Sequence, residues 1–437
     1  MDCFGPQFGL YISLTYRIPF CNIILVNSSS RGSVVITKPL LDASMIIPPL
    51  KSGKGAIMVP YKIAVYTICK NEVTNVDKWI SSMMEADYLC VLDTGSTDGT
   101  WERLVEWREK YPDKIILSRA EIKPWRFDVA RNANMRLIPK DADFCISTDL
   151  DEILVPGWGD KFREAWDKSN KHRMWYKYAW SHNADGTPAR VFWYDKCHDN
   201  SGNWFWKYPV HETLTWGGDS SYDGVAGTAV SNDIWLHHYP LHKDSRSSYL
   251  PLLEMRAKEN PDDYYGLVYL AHEYYYSGNK ERCLEFIDTE VMPKISTNDM
   301  YSCKTDLFMF KGKCHVDLGM LDKAIVDFKQ GIAQGPEFRD NYLELAKVYI
   351  AQEKYQEAID IINEALLKSR RLYSWLEWDK CWTSEPADLL CIAYYYSGAK
   401  NTALMYARLA YEEDKGDLRL KDNLERLEKE LNEPTNN

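Results

Sequence analysis

The chain has 437 residues, 45% hydrophobic and 27% charged, with a formal net charge of −11. This length fits about two or three domains, and the acidity argues against a general nucleic-acid binder, which needs a basic face for phosphates. Eleven cysteines without a CxxC pair point to reduced, buried thiols in a cytoplasmic protein rather than a zinc site or disulfide framework.

The first 57 residues are rich in Ser, Gly and Pro and show no sustained period. Their apolar patches between Gly9 and Val26 are broken by Arg17 and Asn22, which suits neither a membrane span nor a secretion signal. The expectation is a poorly ordered extension ahead of a natural start at Met58. From there a domain over 58–245 begins with βα alternation. Strands are expected over Ile63–Cys69, Tyr88–Leu92, Lys114–Leu117 and Phe144–Thr148. Helices are expected over Val76–Met84, Asp98–Lys110 and Phe127–Leu137. Such alternation predicts an α/β domain with a mostly parallel sheet and helices on both faces, ligands sitting beyond the carboxyl ends of the strands. The polar groups that follow the first, second and fourth strands all fall on that edge.

Nine of the sixteen tryptophans lie between Trp158 and Trp235. Strands and loops are expected there, in an order the sequence leaves open, and the aromatic rings serve either a sugar cleft or the core. Beyond Asp262 the chain reads as helical and repeats itself. Tyr274–Gly278 recurs as Tyr394–Gly398, and Gly312, His315, Ala324, Phe328 and Gly331 match Ala346, Tyr349, Ala358, Ile362 and Ala365 at a spacing of 34. Small residues at that period are the tetratricopeptide pattern, an all-α solenoid. Four helical pairs over 262–416 are expected to turn near Gly278, Gly319, Glu353 and Gly398. Residues 417–437 supply an amphipathic capping helix, Leu418–Leu431, and a tail.

The most informative stretch is Asp149-Leu150-Asp151-Glu152, which closes the fourth strand. In an extended chain Asp149 and Asp151 would face one side, and two hard oxygen donors there suit Mg²⁺ or Mn²⁺ shared with a diphosphate. An ordinary acidic turn is the alternative. With Thr67–Glu72, Val91–Thr100 and the helix Phe127–Asn132, the ordered set resembles family-2 glycosyltransferases of the GT-A fold over Lys62–His242. The resemblance implies a nucleotide-diphosphate sugar donor, most simply a UDP-sugar, and transfer with inversion.

By that resemblance Asp93 contacts the nucleobase or ribose, with Asn71 and Glu72 flanking it. Asp93 as a turn carboxylate, and Asn71 and Glu72 as structural hydrogen-bonders, are the alternatives. Asp98 is expected to cap the following helix. Asp151 is the implied metal ligand, Asp149 reaches ribose or metal, and Arg131 either binds the phosphates or pairs with Asp128 or another carboxylate. The Val210-His211-Glu212 run resembles a motif of related enzymes carrying helical repeats. It makes Glu212 the candidate base, with Asp195 in reserve and His211 orienting it. His238 is the histidine expected to close on the metal or diphosphate, although Pro240 departs from the family's usual glycine.

The layout is similar to bacterial enzymes that glycosylate peptides through sulfur or oxygen. It implies a peptide or protein acceptor on the solenoid, or a saccharide or lipid-linked one, and the aromatic repeat surface offers a homodimer contact. The rival reading is a catalytically silent solenoid scaffold with a vestigial transferase domain. The presence of Asp93, Asp149 and Asp151 together counts against it.

Overall fold

A computed structural model describes residues 61–437 except 168–171, 183–185, 219–227, 241–248, 296–300, 373–375 and 433–437. The expected N-terminal extension and the start at Met58 lie outside the described residues, as does the tail from 433. The sheet domain runs β1 (Ile63–Cys69), α1 (Val73–Met83), β2 (Tyr88–Asp93), α2 (Thr100–Lys110), β3 (Ile115–Arg119), α3 (Phe127–Met135) and β4 (Phe144–Ser147). It continues with β5 (Glu152–Leu154), α4 (Trp158–Asp167), β6 (Arg173–His182), β7 (Pro188–Asp199), β8 (Trp204–Lys207), β9 (Thr213–Trp216) and β10 (Thr228–His238). Eight strands form one sheet in the order β3-β2-β1-β4-β7-β6-β10-β5, and β8 pairs with β9 in a separate ribbon.

Every residue of β1 is buried, as its unbroken apolar run requires of a central strand. Its side chains alternate between two cores. Ile63 and Val65 join Val76, Trp79, Ile80 and Met83 of α1 and the aromatic residues of α4. Ala64 and Tyr66 face Trp204 and Trp206 of the β8–β9 ribbon, and Ile68 meets Ala130 of α3. The α1 residues recur at i, i+3, i+4 and i+7, the stripe of a helix lying on a sheet.

The sheet is mixed rather than mostly parallel: its first half is parallel throughout, and in its second half only β10 pairs in parallel, with β6. β1 to β4 pair in parallel, but β7 is antiparallel to both β4 and β6, and β5 is antiparallel to β10. The reason is local: β6 and β7 are consecutive, with no helix between them, so the chain turns straight back on itself. Among the described residues from Trp158 on, the four buried tryptophans, Trp158, Trp166, Trp204 and Trp206, fill cores.

The helical region opens with α5 (Tyr249–Glu259), α6 (Tyr264–Tyr276) and α7 (Lys280–Phe286), which runs on through a π-helical turn, Ile287–Val291. It proceeds through α8 (Tyr301–Asp317), α9 (Leu321–Gln334), α10 (Asp340–Ala351), α11 (Tyr355–Lys368), α12 (Ser384–Tyr396), α13 (Lys400–Glu413) and α14 (Leu418–Asn432). The turns within the four pairs stand at Gly278, Gly319, Glu353 and Gly398, each with positive φ (87°, 73°, 58° and 87°). No helix among the described residues is long and apolar enough to cross a membrane. The nine described cysteines are free and buried.

Candidate functional site

The carboxyl ends of β1, β2 and β4 open on one edge, where the sheet order reverses direction around β1. Asp93 ends β2 fully buried. Its Oδ1 accepts from the amides of Gly95 and Ser96 at 2.9 and 3.0 Å, and Arg119 Nε lies 3.0 Å away. It is therefore placed as a turn carboxylate, with no surface left for the nucleobase contact implied by the resemblance. Asn71 is exposed at φ 57° and accepts from the Thr97 amide, while the buried Glu72 uses its amide to bond Thr100 Oγ1 and its carboxylate to hold Asn75. Asp98 reaches the amides of both Val73 and Thr100, so it ties the starts of α1 and α2 rather than capping one helix. Together these residues lock the two loops that floor the edge.

The aspartate pair follows a different geometry from the extended one expected. β4 stops at Ser147, and Asp149 and Asp151 lie in the turn leading to β5, where the Glu152 amide bonds the Asp149 carbonyl at 3.1 Å. Their separation on a turn frees the two carboxylates for different partners. The register of β5 with β10 sets His238 opposite Glu152, and the Tyr239 amide bonds the Asp151 carbonyl at 2.7 Å. This brings His238 Nε2 within 3.4 Å of Asp151 Oδ2, while His238 Nδ1 faces the Trp180 carbonyl at 3.2 Å. Burial disfavours charge on His238, yet the Asp151 contact prevails and raises the imidazole to about 9. Glu152 is turned away, its carboxylate accepting from the Asp149 amide. Burial, then the neighbouring Asp149, raises its carboxyl to about 8.

Arg131 on α3 binds the other half of the site. Its Nη2 donates to Asp149 at 2.8 Å, Nη1 to Ser147 Oγ at 3.3 Å, and Nε to Glu212. Arg131 thus pairs with carboxylates, as its alternative reading has it, but with Asp149 and Glu212, since Asp128 is taken by Arg126. Burial works against the Arg131 charge, and the Asp149 and Glu212 carboxylates overcome it. Below the guanidinium lies the Trp206 ring, 5.0 Å away, and the buried ammonium of Lys196 approaches the same ring at 4.6 Å. Burial pulls Lys196 below the usual lysine range, against the attraction of Asp195 and Glu212. Asp195, the reserve base, is bound by Arg173 much as Glu212 is by Arg131. The His211 ring stacks on Tyr269 of α6 at 4.2 Å.

The chain thus brings Asp149, Asp151, Arg131, Glu212 and His238 to one edge, while Asp93, Asn71, Glu72 and Asp195 also bond the loops and strands around it. Lys196 was not legible in the sequence, since a lone lysine in an aromatic strand carries no spacing signal. One carboxylate and one imidazole converge at that edge, Asp151 Oδ2 and His238 Nε2 3.4 Å apart, a pair that could share a cation. Among the described residues no cluster of three or more His, Cys, Asp or Glu side chains could hold a metal unaided.

A profile of the tetratricopeptide repeat family matches residues 315–372, from the end of α8 through α11. Similar solved structures include a thermophilic TPR protein of Thermus thermophilus, at 22% identity and TM-score 0.32, covering 41% of this chain and 89% of that one. The MamA protein matches at 16% identity and TM-score 0.30, covering 40% of this chain and 85% of its own. The second TPR domain of human RPAP3, solved in complex with an HSP70 peptide, matches at 17% identity and TM-score 0.25, over 30% of this chain and 98% of that domain. No curated protein matches the chain. The C-terminal half is a helical array of the tetratricopeptide type, following an α/β domain built on a mixed eight-stranded sheet.

Proposed function

We propose that the chain is a metal-dependent glycosyltransferase that takes a sugar from a nucleotide-diphosphate donor, a UDP-sugar in the simplest case. The observation that carries the reading is the paired arrangement at the strand edge: Asp151 against His238, and Arg131 spanning Asp149 and Glu212. Asp151 and His238 would hold Mn²⁺ or Mg²⁺, which when bound supplies charge to stabilise the departing diphosphate. Arg131 and Lys196 add positive charge beside that position, and the Trp206 ring shields it from water on one side.

Glu212 is the base. It accepts the proton of the acceptor hydroxyl or thiol as that atom attacks the sugar's anomeric carbon, and the bond from that carbon to the diphosphate oxygen breaks. Attack from the face opposite the leaving group inverts the anomeric centre. The helical array is the natural seat of a peptide or protein acceptor, since tetratricopeptide solenoids present extended binding faces, with a saccharide as the other acceptor class.

The test is nucleoside-diphosphate release from a panel of UDP- and GDP-sugars, with Mn²⁺, Mg²⁺ or EDTA. One donor is expected to be hydrolysed slowly and only with metal. Glu212→Gln should retain donor binding and lose about 10²- to 10⁴-fold in turnover. Metal-dependent binding without release on any acceptor supports the second reading, a scaffold whose working part is the helical array, which the repeat-family match favours. Failure of both binding and release sinks the transferase.

A further inference from the structure

Glu212 is the last residue of a short loop whose shape the sheet domain does not hold alone. Between β8 and β9 the backbone passes through Tyr208 at φ 84° and His211 at φ 49°. Both are non-glycine residues in the left-handed region, where each costs on the order of 1 kcal/mol or more. Such a loop keeps its form only if its surroundings over-determine it.

Those surroundings are largely helical. Val210 is buried as part of the helical core that includes Leu253, Leu267 and Tyr269, and the His211 ring lies on Tyr269. From α5, the guanidinium of Arg256 reaches the loop with its side chain wholly buried. Its Nη1 donates to the carbonyls of both Val210 and His211 at 3.0 Å. Its Nε is held by Asp263 at 2.7 Å, and its plane lies 3.9 Å from the Tyr208 ring centre. Gly266 on α6 provides the room: a Cβ there would come within 2.6 Å of Arg256 Nε and 2.7 Å of Asp263 Oδ2. On the sheet side, the Phe127 amide at the start of α3 bonds the Pro209 carbonyl at 3.0 Å. Arg126 just before it binds Glu259 of α5 at 2.6 Å. Glu212 then leaves this clamp to meet Arg131 four residues into the same helix α3.

We propose that Arg256 is a positioning residue for transfer: by gripping the Val210 and His211 carbonyls it sets where the Glu212 carboxylate stands. This rests on the reading of Glu212 as the base. The first helix of the C-terminal region is then a wall of the active centre, not a tether for a separate module. A change at α5, which touches neither donor nor cation, is felt at the base.

The experiment is a double-mutant cycle on the full chain, read as nucleoside-diphosphate release from the UDP- and GDP-sugar panel with Mn²⁺. Arg256→Met should lower kcat about 10²-fold, the scale of a misplaced catalytic group, with the donor KM within about twofold. In the Glu212→Gln background the same change should cost nothing further, because a displaced base that is already absent cannot be lost twice. Arg256→Lys, which keeps one donor to the loop, should recover part of the loss and carries the same cycle if the Met variant does not fold.

Equal losses in both backgrounds, or wild-type kcat in folded Arg256→Met, overturn the positioning role and leave the transferase standing. Wild-type release by Glu212→Gln alone instead removes the base assignment. An inactive wild type removes the transferase reading, and the inference with it.

Discussion

The helical array and the sheet edge solve their structural problems in opposite ways. In the array one solution is used repeatedly: a residue of positive φ turns each pair, and small residues let its helices touch. Gly312 sits where an added Cβ would come within 2.4 Å of Phe328, and Ala346 and Ile362 occupy the corresponding positions one repeat later. At the sheet edge every polar group has a job that no other residue shares. Asp93 closes one turn, Asn71 joins two loops, and Arg131 holds two carboxylates from different segments. Stability in the array is shared among like neighbours, whereas chemistry at the edge hangs on single side chains. Substitutions at the edge should therefore cost turnover first, and substitutions in the array stability first.

The largest loss of turnover is expected at Asp151. Asp151→Asn replaces a charged oxygen donor by a weak neutral one. Several kcal/mol of charge stabilisation are at stake, about 10³-fold in metal-dependent donor hydrolysis. Its unfolding midpoint should fall as well, because the Asp151 side chain is only 13% exposed and its carboxylate sustains the charge on His238. Wild-type turnover in this variant would remove the metal assignment.

Arg131→Met should come second. It leaves Asp149 and Glu212 without their shared cation, so turnover falls by about 10²-fold. Stability falls too, by about 3 kcal/mol, toward the lower end for a broken buried pair because Asp149 is 43% exposed. A purely stability-neutral loss would mean that the guanidinium is catalytic without being structural.

The same contrast explains what the sequence discloses. The four helical turns are readable because recurrence needs no knowledge of three-dimensional neighbours: Gly319 and Glu353 stand 34 residues apart, and Gly278 and Gly398 end the same Tyr-Tyr-Tyr-Ser-Gly run. The first four strands were readable because each is an apolar run closed by turn residues. The aspartates were found by their motif but misplaced by it: strand periodicity was assumed for a segment that turns after Ser147. The second half of the sheet was not readable, since its strands are rich in aromatic residues on both faces and the β6–β7 pairing is irregular, with three shifts of register. Asp195 and Glu212 look alike as isolated acids in sequence. Only the fold assigns one to Arg173 and the other to Arg131. Arg256 was invisible for a stronger reason. Its helix α5 falls between the two domains that composition suggested, and its partners are carbonyls, which every residue has.

Within the array, two glycines separate steric from backbone cost. Gly312→Ala should destabilise by about 1–2 kcal/mol, overpacking against Phe328 outweighing the better helix propensity of alanine. Gly278→Ala meets no atom within 4 Å, so its loss of about 1 kcal/mol would come from φ +87° alone. Thermal unfolding measures both, and donor hydrolysis by the folded proteins should stay within about twofold of the wild type. A tenfold fall in either would mean that the repeats reach the chemistry by a route other than α5.

The smallest effect on turnover, none at any pH, is expected at Asp340, where the array should show a pH dependence of its own. Asp340 begins α10 and lines a small cavity with Ser302, Thr305, Asp306 and Asn341. Its Oδ1 accepts from the Trp378 amide at 2.9 Å, and its Oδ2 is buried without a hydrogen-bond partner. Burial raises the carboxyl from 3.8 to about 7, the Trp378 hydrogen bond opposing it. The folded chain therefore keeps this proton over a range in which the unfolded chain has released it. Stability from this group is complete below the unfolded value of 3.8, is lost as pH rises from there to about 7, and is flat above. The slope within that window approaches about 1.4 kcal/mol per pH unit. Asp340→Asn keeps the acceptor for Trp378 and cannot ionise, so the difference in unfolding free energy between variant and wild type should grow in the variant's favour from about pH 4 to about pH 7. Because other titrating groups are common to both proteins, they cancel in that difference. A difference that does not change with pH would mean that Asp340 is ionised throughout, with a partner for its second oxygen supplied by solvent.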